Sequence, residues 1–251
     1  MDIGILLVLF ILGTVIGSFL NVVICRLPQN LSLVSPPSHC PQCKERLLWL
    51  DLIPLFSYVT ISGQCRYCRK PIPIRYFWVE LVNGIAYLTI GYQMSLTVSA
   101  IAYMVLFSIL LVVIFIDLDT MLIPDELMLF GFVAGILLTA GQSWTTFVNG
   151  IMGLLTGGGI LLAIAILSKG GMGGGDIKLA GVIGLFLGKT QILLVLFLSF
   201  LIGASVGIYL LITKRKTMKD MIPFGPSLAV AGYIAMFWGP PLISWYLRIY
   251  S

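Results

Sequence analysis

Charged residues are scarce in this sequence, and their scarcity excludes several classes of protein. Only 10% of the 251 residues are Asp, Glu, Lys or Arg, whereas an average soluble protein contains about 25%. Hydrophobic residues make up 59%, and the mean hydropathy is +1.06. A soluble globular domain, a disordered chain and a secreted disulfide scaffold are therefore excluded. The composition predicts an all-α polytopic membrane protein whose embedded helices form the functional unit.

Other signals are also missing. No basic residue precedes the first apolar run and no small-residue cleavage site follows it, so a removable signal peptide is not expected. The sequence shows no internal repeat. The glycine-rich run at 170–175 is followed by Asp176-Ile177-Lys178 instead of the Lys-Ser/Thr of a phosphate-binding loop, so nucleotide hydrolysis is set aside. The net charge of +5 does not indicate nucleic acid, because membrane proteins concentrate Lys and Arg on cytoplasmic loops.

Eight apolar runs are candidate membrane spans, each of which needs about 20 apolar residues. These runs are residues 3–23, 76–92, 96–116, 127–140, 147–167, 179–187, 192–212 and 227–247. The sixth run is too short to cross the bilayer core of about 30 Å unaided. It is therefore either a half-helix or a helix that begins earlier than its apolar part.

The basic residues predict the orientation of these spans. With the N-terminus outside, all Lys and Arg residues except Lys189 and Arg248 fall on inner loops, among them the cluster Lys214, Arg215, Lys216 and Lys219. This asymmetry is what the positive-inside rule requires. We therefore expect eight transmembrane helices, an N-out/C-out topology and a location in the cytoplasmic membrane. The chain divides into a first helix (1–24), a cytoplasmic loop (25–75) and a bundle of helices 2–8 (76–251).

Acidic residues gather at one membrane face. Four of the ten follow the third span, namely Asp117, Asp119, Asp125 and Glu126. The third and fifth spans both end on the inner side, so Asp117 and Asp176 share a face and can meet. Two adjacent carboxyl groups share a proton, so that one takes a proton from water while the other polarises a peptide carbonyl. This pair predicts peptide hydrolysis.

The residues around these aspartates allow other interpretations. Taken alone, Asp176 is better explained as the N-cap of the sixth span, because Asp is a preferred cap residue. Asp119 and Asp125 are expected to be solvated loop residues, and Ile123-Pro124-Asp125 is typical of a helix start. The substrate-approach segment consists of the glycines next to Asp176, where backbone without side chains lets a substrate come close. These are Gly171, Gly173, Gly174 and Gly175.

Two C-x-x-C pairs lie in the long polar loop after the first span. They are Cys40-Pro41-Gln42-Cys43 and Cys65-Arg66-Tyr67-Cys68. Their spacing predicts a closed four-sulfur zinc site with a structural role in a reducing, cytoplasmic setting. His39 is superfluous as a ligand, and Cys25 is expected to be a packing thiol. The apolar stretch 47–61 is interrupted by Asp51 and Pro54, so it lies along the membrane surface or under the metal site.

The combination of these motifs resembles the bacterial prepilin peptidases, also called type IV leader peptidases. The matching stretches are Gly17 to Val23 with Arg26-Leu27-Pro28, the two C-x-x-C pairs, Val79-Glu80-Leu81, Ile116-Asp117 with Ile123-Pro124-Asp125, Gly171 to Asp176, and Pro223-Phe224-Gly225-Pro226. The resemblance implies an intramembrane aspartic protease with catalytic Asp117 and Asp176, the latter in the family's G-x-G-D signature. Its substrates would be prepilins or pseudopilins, cut after a glycine that ends a short, basic, cytoplasmic leader.

The resemblance also implies a second activity, methylation of the new N-terminus with S-adenosylmethionine. Glu80 and Arg75 are candidates for this reaction because they flank the inner end of the second span, although a structural ion pair explains them equally well. Only twelve positions separate Pro28 from Cys40, which is typical of the compact form in Gram-positive competence or pilus systems. Two rival functions stay open: an ion-coupled transporter that binds a cation at Asp117 and Asp176, and a non-enzymatic membrane scaffold.

Overall fold

The computed structural model describes residues 2–215, 217 and 220–249. The predicted inner-loop residues Lys216 and Lys219 lie outside this set. All regular elements of the described residues are helices, and the only β pairings among them are the isolated bridges His39–Arg46 and Gln64–Pro71. The all-helical prediction is confirmed.

The described residues form eight α-helices, and seven of them contain the predicted apolar runs except for Leu96 and Thr97, which precede α4. The eight helices are α1 (Ile3–Arg26), α2 (Phe56–Thr60), α3 (Arg75–Met94), α4 (Val98–Thr120), α5 (Asp125–Ala140), α6 (Trp144–Leu167), α7 (Gly174–Ile212) and α8 (Gly225–Ile249). Two 3₁₀ helices cover Leu27–Gln29 and Trp49–Leu52. Five stretches are long and apolar enough to cross a membrane, namely Ile3–Gln29, Val98–Thr120, Trp144–Leu167, Gly174–Ile212 and Gly225–Arg248. The protein is therefore a multi-pass membrane protein.

Helix α7 contains both the sixth and the seventh apolar runs and is interrupted between them at Gly188. Gly188 has φ 80° and ψ 172°, which a residue with a Cβ rarely adopts. Gly157 of α6 lies against both Ala180 and Ile192, which a straight helix would hold about 18 Å apart. The chain therefore turns back at Gly188. The sixth run belongs to a helix that begins at Gly174, which is the earlier start that we considered.

The chain divides into two compact units between Ala100 and Ile101. In the first unit, α1 packs against α3. The buried Asn83 of α3 donates a side-chain hydrogen bond of 2.7 Å to the carbonyl of Gly13 in α1, and Asn21 of α1 donates one of 3.1 Å to the carbonyl of Tyr76. Amide side chains thus fix the two helices that flank the cysteine loop.

The second unit has α4 and the first part of α7 as its core. Leu106, Leu110, Val112, Val113 and Ile116 of α4 are fully buried, as are Leu179, Ala180, Ile183 and Leu185 of α7. A helix that is apolar on all sides is expected to lie at the centre of a bundle. Helix α8 packs on α4 through the stacked rings of Phe107 and Tyr233, whose centroids are 4.4 Å apart. This core carries both predicted catalytic aspartates.

Candidate active site and metal centre

Asp117 lies in the last turn of α4, as the sequence predicted, and its side chain is buried, with 4% of the residue exposed. The backbone N–H of Gly225, the first residue of α8, donates a hydrogen bond of 2.9 Å to Oδ2 of Asp117. A helix N-terminus has unpaired N–H groups and a positive partial charge. The start of α8 is therefore a favourable partner for a buried carboxylate.

Asp176 lies in the first turn of α7 and is half-buried. The helix begins at Gly174 with Gly173 as its N-cap, so the alternative that Asp176 is itself the N-cap is wrong. Asp176 occupies the third helical position, and its carboxylate accepts a hydrogen bond from the backbone of Gly173. This is the acidic half of a capping box, and it fixes the carboxylate at the helix start.

Ile123 joins the two aspartate positions. Its Cβ contacts Gly175, the residue before Asp176, and its Cδ1 contacts Gly225, the residue that bonds Asp117. Asp176 also lies within electrostatic range of Asp117. The fold therefore brings the two predicted positions near each other.

Such a pair has a defined chemical capacity. Two carboxylates that repel each other are most stable when they share one proton. The ionised carboxylate can then take a proton from water, and the neutral one can donate a hydrogen bond to a peptide carbonyl.

The glycines of the substrate-approach segment differ in their surroundings. A Cβ at Gly175 would meet Ile123, and a Cβ at Gly173 would lie 3.0 Å from Oδ2 of Asp176. Gly171 is tied to Ser168, whose hydroxyl accepts a hydrogen bond of 3.1 Å from its N–H. Only Gly174 has open space in the direction of a Cβ. Gly175 is therefore packed against Ile123, whereas Gly171, Gly173 and Gly174 are exposed.

The neighbouring acidic residues have other positions. Asp125 is exposed and starts α5 after the N-cap Pro124, so the predicted helix start is confirmed but the placement of Asp125 in a loop is wrong. It forms an ion pair of 2.6 Å with Lys178. Asp119 is exposed but lies inside α4, so its placement in a loop is wrong. The helix continues past Asp117 because Leu118, Asp119 and Thr120 complete its last turn.

Gly225 and Ile123 are site residues to which the sequence analysis assigned no role. Both stand in stretches that matched the family, Pro223-Phe224-Gly225-Pro226 and Ile123-Pro124-Asp125. These matches were the available signal. Neither residue has a titratable side chain, so chemistry alone did not draw attention to them.

The four cysteines of the loop form one cluster. Their Sγ atoms all lie within 4.8 Å of one another, with 3.9 Å between Cys40 and Cys68 and 4.0 Å between Cys43 and Cys65. A tetrahedral zinc ion with Zn–S bonds of about 2.3 Å sets its sulfurs about 3.8 Å apart. The cluster therefore fits a metal ion of this kind.

The two C-x-x-C turns have the same geometry. In each, the first cysteine accepts a hydrogen bond from the residue after the second cysteine, Lys44 or Arg69, and that residue has a positive φ of 59° or 55°. Burial raises the pKa of the Cys40 thiol, but hydrogen bonds from the backbone of Cys43 and Gln42 and from neighbouring thiols lower it to about 6. The lowered pKa of Cys40 favours the thiolate, the form that binds metals.

The apolar stretch 47–61 does not form a span. It contains only the 3₁₀ helix Trp49–Leu52 and the short α2, which lie beside the start of α3. Leu55 donates a backbone hydrogen bond of 2.8 Å to Oε2 of Glu80, and the rings of Tyr58 and Phe77 are 5.6 Å apart. The loop is therefore anchored to the first two turns of α3.

The remaining residues of interest in the first unit have structural partners. His39 bonds the carbonyl of Pro37 at 3.0 Å and does not belong to the sulfur cluster. Cys25 is more than a packing thiol, because its Sγ lies 3.2 Å from the Tyr76 hydroxyl and 3.9 Å from Nη2 of Arg75. Arg75 and Glu80 thus contact Cys25 and Leu55 in this fold.

Two family models match the chain. The bacterial peptidase A24 N-terminal domain matches residues 11–94, which include the sulfur cluster. The type IV leader peptidase family matches residues 104–208, which include Asp117 and Asp176. The two matches fall on either side of the division between the compact units.

Full-length relatives are also similar to this chain. Proteins named prepilin leader peptidase/N-methyltransferase are 34% identical in Bacillus subtilis (96% of this chain, 98% of the relative) and 34% identical in Aeromonas hydrophila (95% and 92%). The protein of that name from Pseudomonas putida is 32% identical over 91% of this chain and 89% of its own length. No solved structure matches significantly. From these matches, which extend over nearly the whole chain, it follows that the protein belongs to the type IV leader peptidase family.

Proposed function

We propose that this protein is an intramembrane aspartic endopeptidase that removes the short basic leader of prepilin or pseudopilin-like membrane proteins. Cleavage would follow a glycine at the cytoplasmic face of the membrane. The observation that carries the proposal is the pairing of Asp117 with Asp176 at the ends of two core helices. The names of the relatives support the same activity.

In the proposed reaction the fold holds each carboxylate by one backbone N–H. Gly225 donates to Asp117 and Gly173 donates to Asp176. Each side chain keeps its second oxygen for water, for the shared proton or for the substrate carbonyl. Water attacks the carbonyl carbon of the scissile glycine as one carboxylate takes its proton, and the other aspartic acid gives a proton to the leaving amine.

The transporter and scaffold alternatives lack this support. Neither family model describes a transporter. Both aspartates lie within one turn of a helix end, whereas the cation sites of transporters lie near the membrane midplane. A scaffold does not require two neighbouring carboxylates at the membrane edge, which cost free energy unless they serve a function.

The proposed topology has eight spans with both termini outside, and the active site faces the cytoplasm in the cytoplasmic membrane. The reversal at Gly188 supports it, because it divides the 39 residues of α7 into two passes. The proposed division into a first helix (1–24), a zinc-stabilised loop (25–75) and a peptidase core (76–251) follows the same topology. The sulfur cluster would hold a structural zinc ion through Cys40, Cys43, Cys65 and Cys68.

A second proposed activity is N-methylation of the new N-terminus with S-adenosylmethionine. The support for it is the name N-methyltransferase of the relatives, including the Bacillus subtilis protein, which this chain covers almost completely. That match also supports the compact, Gram-positive type of enzyme. S-adenosylmethionine would supply the methyl group, and we assign it no binding residues.

Cleavage of a prepilin-type substrate tests the peptidase proposal. The substrate carries a basic leader, a glycine and a hydrophobic helix, and the purified protein is assayed in detergent. Asp117→Asn and Asp176→Asn should each lower kcat by roughly a thousandfold or more, since each removes a group that acts in the chemical step. Asp119→Asn, an exposed change on the same helix as Asp117, is the matched control and should cleave like the parent. Parental activity in either of the first two variants would refute the proposal.

A further inference from the structure

A groove on the second unit opens between α5 and α6. Its volume is about 760 Å³, and its floor is the first part of α7, where Ile177, Gly181 and Val182 line it. Leu129 of α5 and Leu155 of α6 form its walls and are about two-thirds exposed. Because α5, α6 and α7 cross or face the apolar layer, the groove is open toward lipid along most of its length.

The α6 wall of this groove is shaped to accept another helix. Gly158 and Gly159 line it, and a Cβ at Gly159 would meet nothing within 4 Å. Small residues at a helix surface let a second helix approach closely within a membrane. From Asp125 to Phe132 the groove extends along α5 for about 10 Å, which is about two turns of a helix.

One end of the groove is acidic. Asp125, Glu126 and Lys178 lie there and are exposed. The ion pair between Asp125 and Lys178 neutralises both charges, so Glu126 leaves this rim with a net negative charge. The rim favours a cationic segment, and it disfavours the phosphate groups of lipids.

The acidic end of the groove is also the end next to the aspartate pair. Ile177 and Lys178 follow Asp176 directly in the first turns of α7. A chain that leaves the groove at its acidic end is therefore close to Asp176.

We infer that this groove binds the first two turns of the substrate's hydrophobic helix, while the basic leader lies at its acidic rim. The inference rests on the proposed function and adds the place where the substrate docks. In the substrate, a cationic leader precedes an apolar helix. In the groove, the acidic end lies next to the apolar walls, so the two match in the same order. This complementarity distinguishes a substrate helix from a lipid acyl chain, which matches only the apolar part.

A side chain that fills the groove should affect the cleavage of two substrates differently. The first is the membrane-anchored substrate, and the second is a peptide of the same sequence that ends shortly after the scissile bond. Gly159→Leu places a side chain in open space. It should raise KM for the anchored substrate by roughly tenfold or more, because the substrate would lose about one buried contact of the size of a leucine side chain. For the short peptide, kcat/KM should stay within about twofold of the parent. Gly4→Leu, also in open space but outside the groove, is the matched control and should change neither.

Two outcomes would overturn the inference. Equal KM values for Gly159→Leu and the parent on the anchored substrate would mean that the groove is filled by lipid. An equal loss on both substrates would mean that the change acts on the aspartate pair and not on helix docking.

Photo-crosslinking tests the same groove without requiring cleavage. A photoreactive residue replaces Leu155 in the groove or, as a control, the equally exposed Phe197 outside it, each in the Asp176→Asn background. The anchored substrate should be captured at position 155 and not at 197, and excess unlabelled substrate should compete. Equal capture at both positions would reject the docking site, whereas absence of cleavage by the parent enzyme would reject the proposed peptidase instead.

Discussion

The backbone N–H of Gly225 donates a hydrogen bond of 2.9 Å to Oδ2 of Asp117, across 108 positions of the sequence. A Cβ at residue 225 would lie 2.6 Å from that oxygen, so the approach requires glycine. The bond brings the positive end of α8 to the carboxylate and holds one of its oxygens. The segment 223–226 is therefore a positioning element for Asp117.

This relationship predicts that Gly225→Ala impairs the chemical step. The methyl group would displace the Asp117 carboxylate, and a misplacement of about 1 Å can cost roughly a hundredfold in rate. We expect kcat for leader cleavage to fall by that order while KM stays within about twofold, as steady-state kinetics with the anchored substrate would measure.

The control for this variant is Gly207→Ala. A Cβ at Gly207 would lie 3.7 Å from Cδ1 of Ile222, an ordinary contact, so kcat should match the parent and the thermal midpoint should not fall. If Gly225→Ala retained the parental kcat, the hydrogen bond would have no role in placing Asp117.

Much of the fold was predictable because its signals are local. Apolar runs predicted the helices, and the cysteine spacing predicted the sulfur cluster. Each C-x-x-C turn is closed by backbone hydrogen bonds within six residues. Asp117 could be placed on α4 because an uninterrupted apolar run leads into it. The meeting of Asp117 with Asp176 followed from the predicted topology, which placed both on one membrane face.

The features that the sequence did not reveal depend on single backbone positions and on contacts between distant residues. The apolar run marked α7 only from residue 179, because Gly174, Gly175, Asp176 and Lys178 lower the hydropathy of its first turns, although they are helical. The turn at Gly188 depends on one φ value in an otherwise apolar run. Ile123 and Gly225 meet the aspartates only after α4, α7 and α8 have packed, so no spacing in the sequence reveals them.

The turn at Gly188 predicts a stability effect. A Cβ there would collide with the side chain of Asn149, whose Oδ1 also accepts a hydrogen bond from the backbone N–H of Lys189. Gly188→Ala should lower the free energy of unfolding by about 1–3 kcal/mol, because φ 80° is unfavourable for alanine. Thermal unfolding in detergent measures this, and Gly207→Ala again serves as the control. An unchanged midpoint for Gly188→Ala would show that the turn tolerates a Cβ.

Two substitutions of Glu80 should affect the cysteine loop differently. Its Oε2 accepts the hydrogen bond from Leu55, and it is 8% exposed, so it anchors the cysteine loop to α3. Glu80→Gln keeps an acceptor oxygen and should preserve both the protease resistance of the loop and methyl transfer. Glu80→Ala leaves the Leu55 N–H without this acceptor at a cost of about 1 kcal/mol, and limited proteolysis of the loop should become several-fold faster.

One alternative result would indicate that Glu80 acts in methyl transfer. Loss of methyl transfer in Glu80→Gln, with a loop as protease-resistant as in the parent, would indicate direct contact with the methyl donor. Leader cleavage, measured on the same samples, separates such a specific loss from general damage.

The cysteine loop should depend on metal for its fold. Within residues 31–70, all of which the structure describes, Cys40 and Cys65 have the only buried apolar side chains. A segment with so little buried apolar surface cannot offset its loss of conformational entropy, and metal binding supplies the missing free energy.

We expect a single zinc ion per chain by elemental analysis, its loss in Cys40→Ser/Cys43→Ser, and faster proteolysis of the loop in that variant. His39→Ala removes the neighbouring imidazole, which lies outside the sulfur cluster, and should retain full zinc content. Full zinc content in the double serine variant would mean that the ion is bound elsewhere.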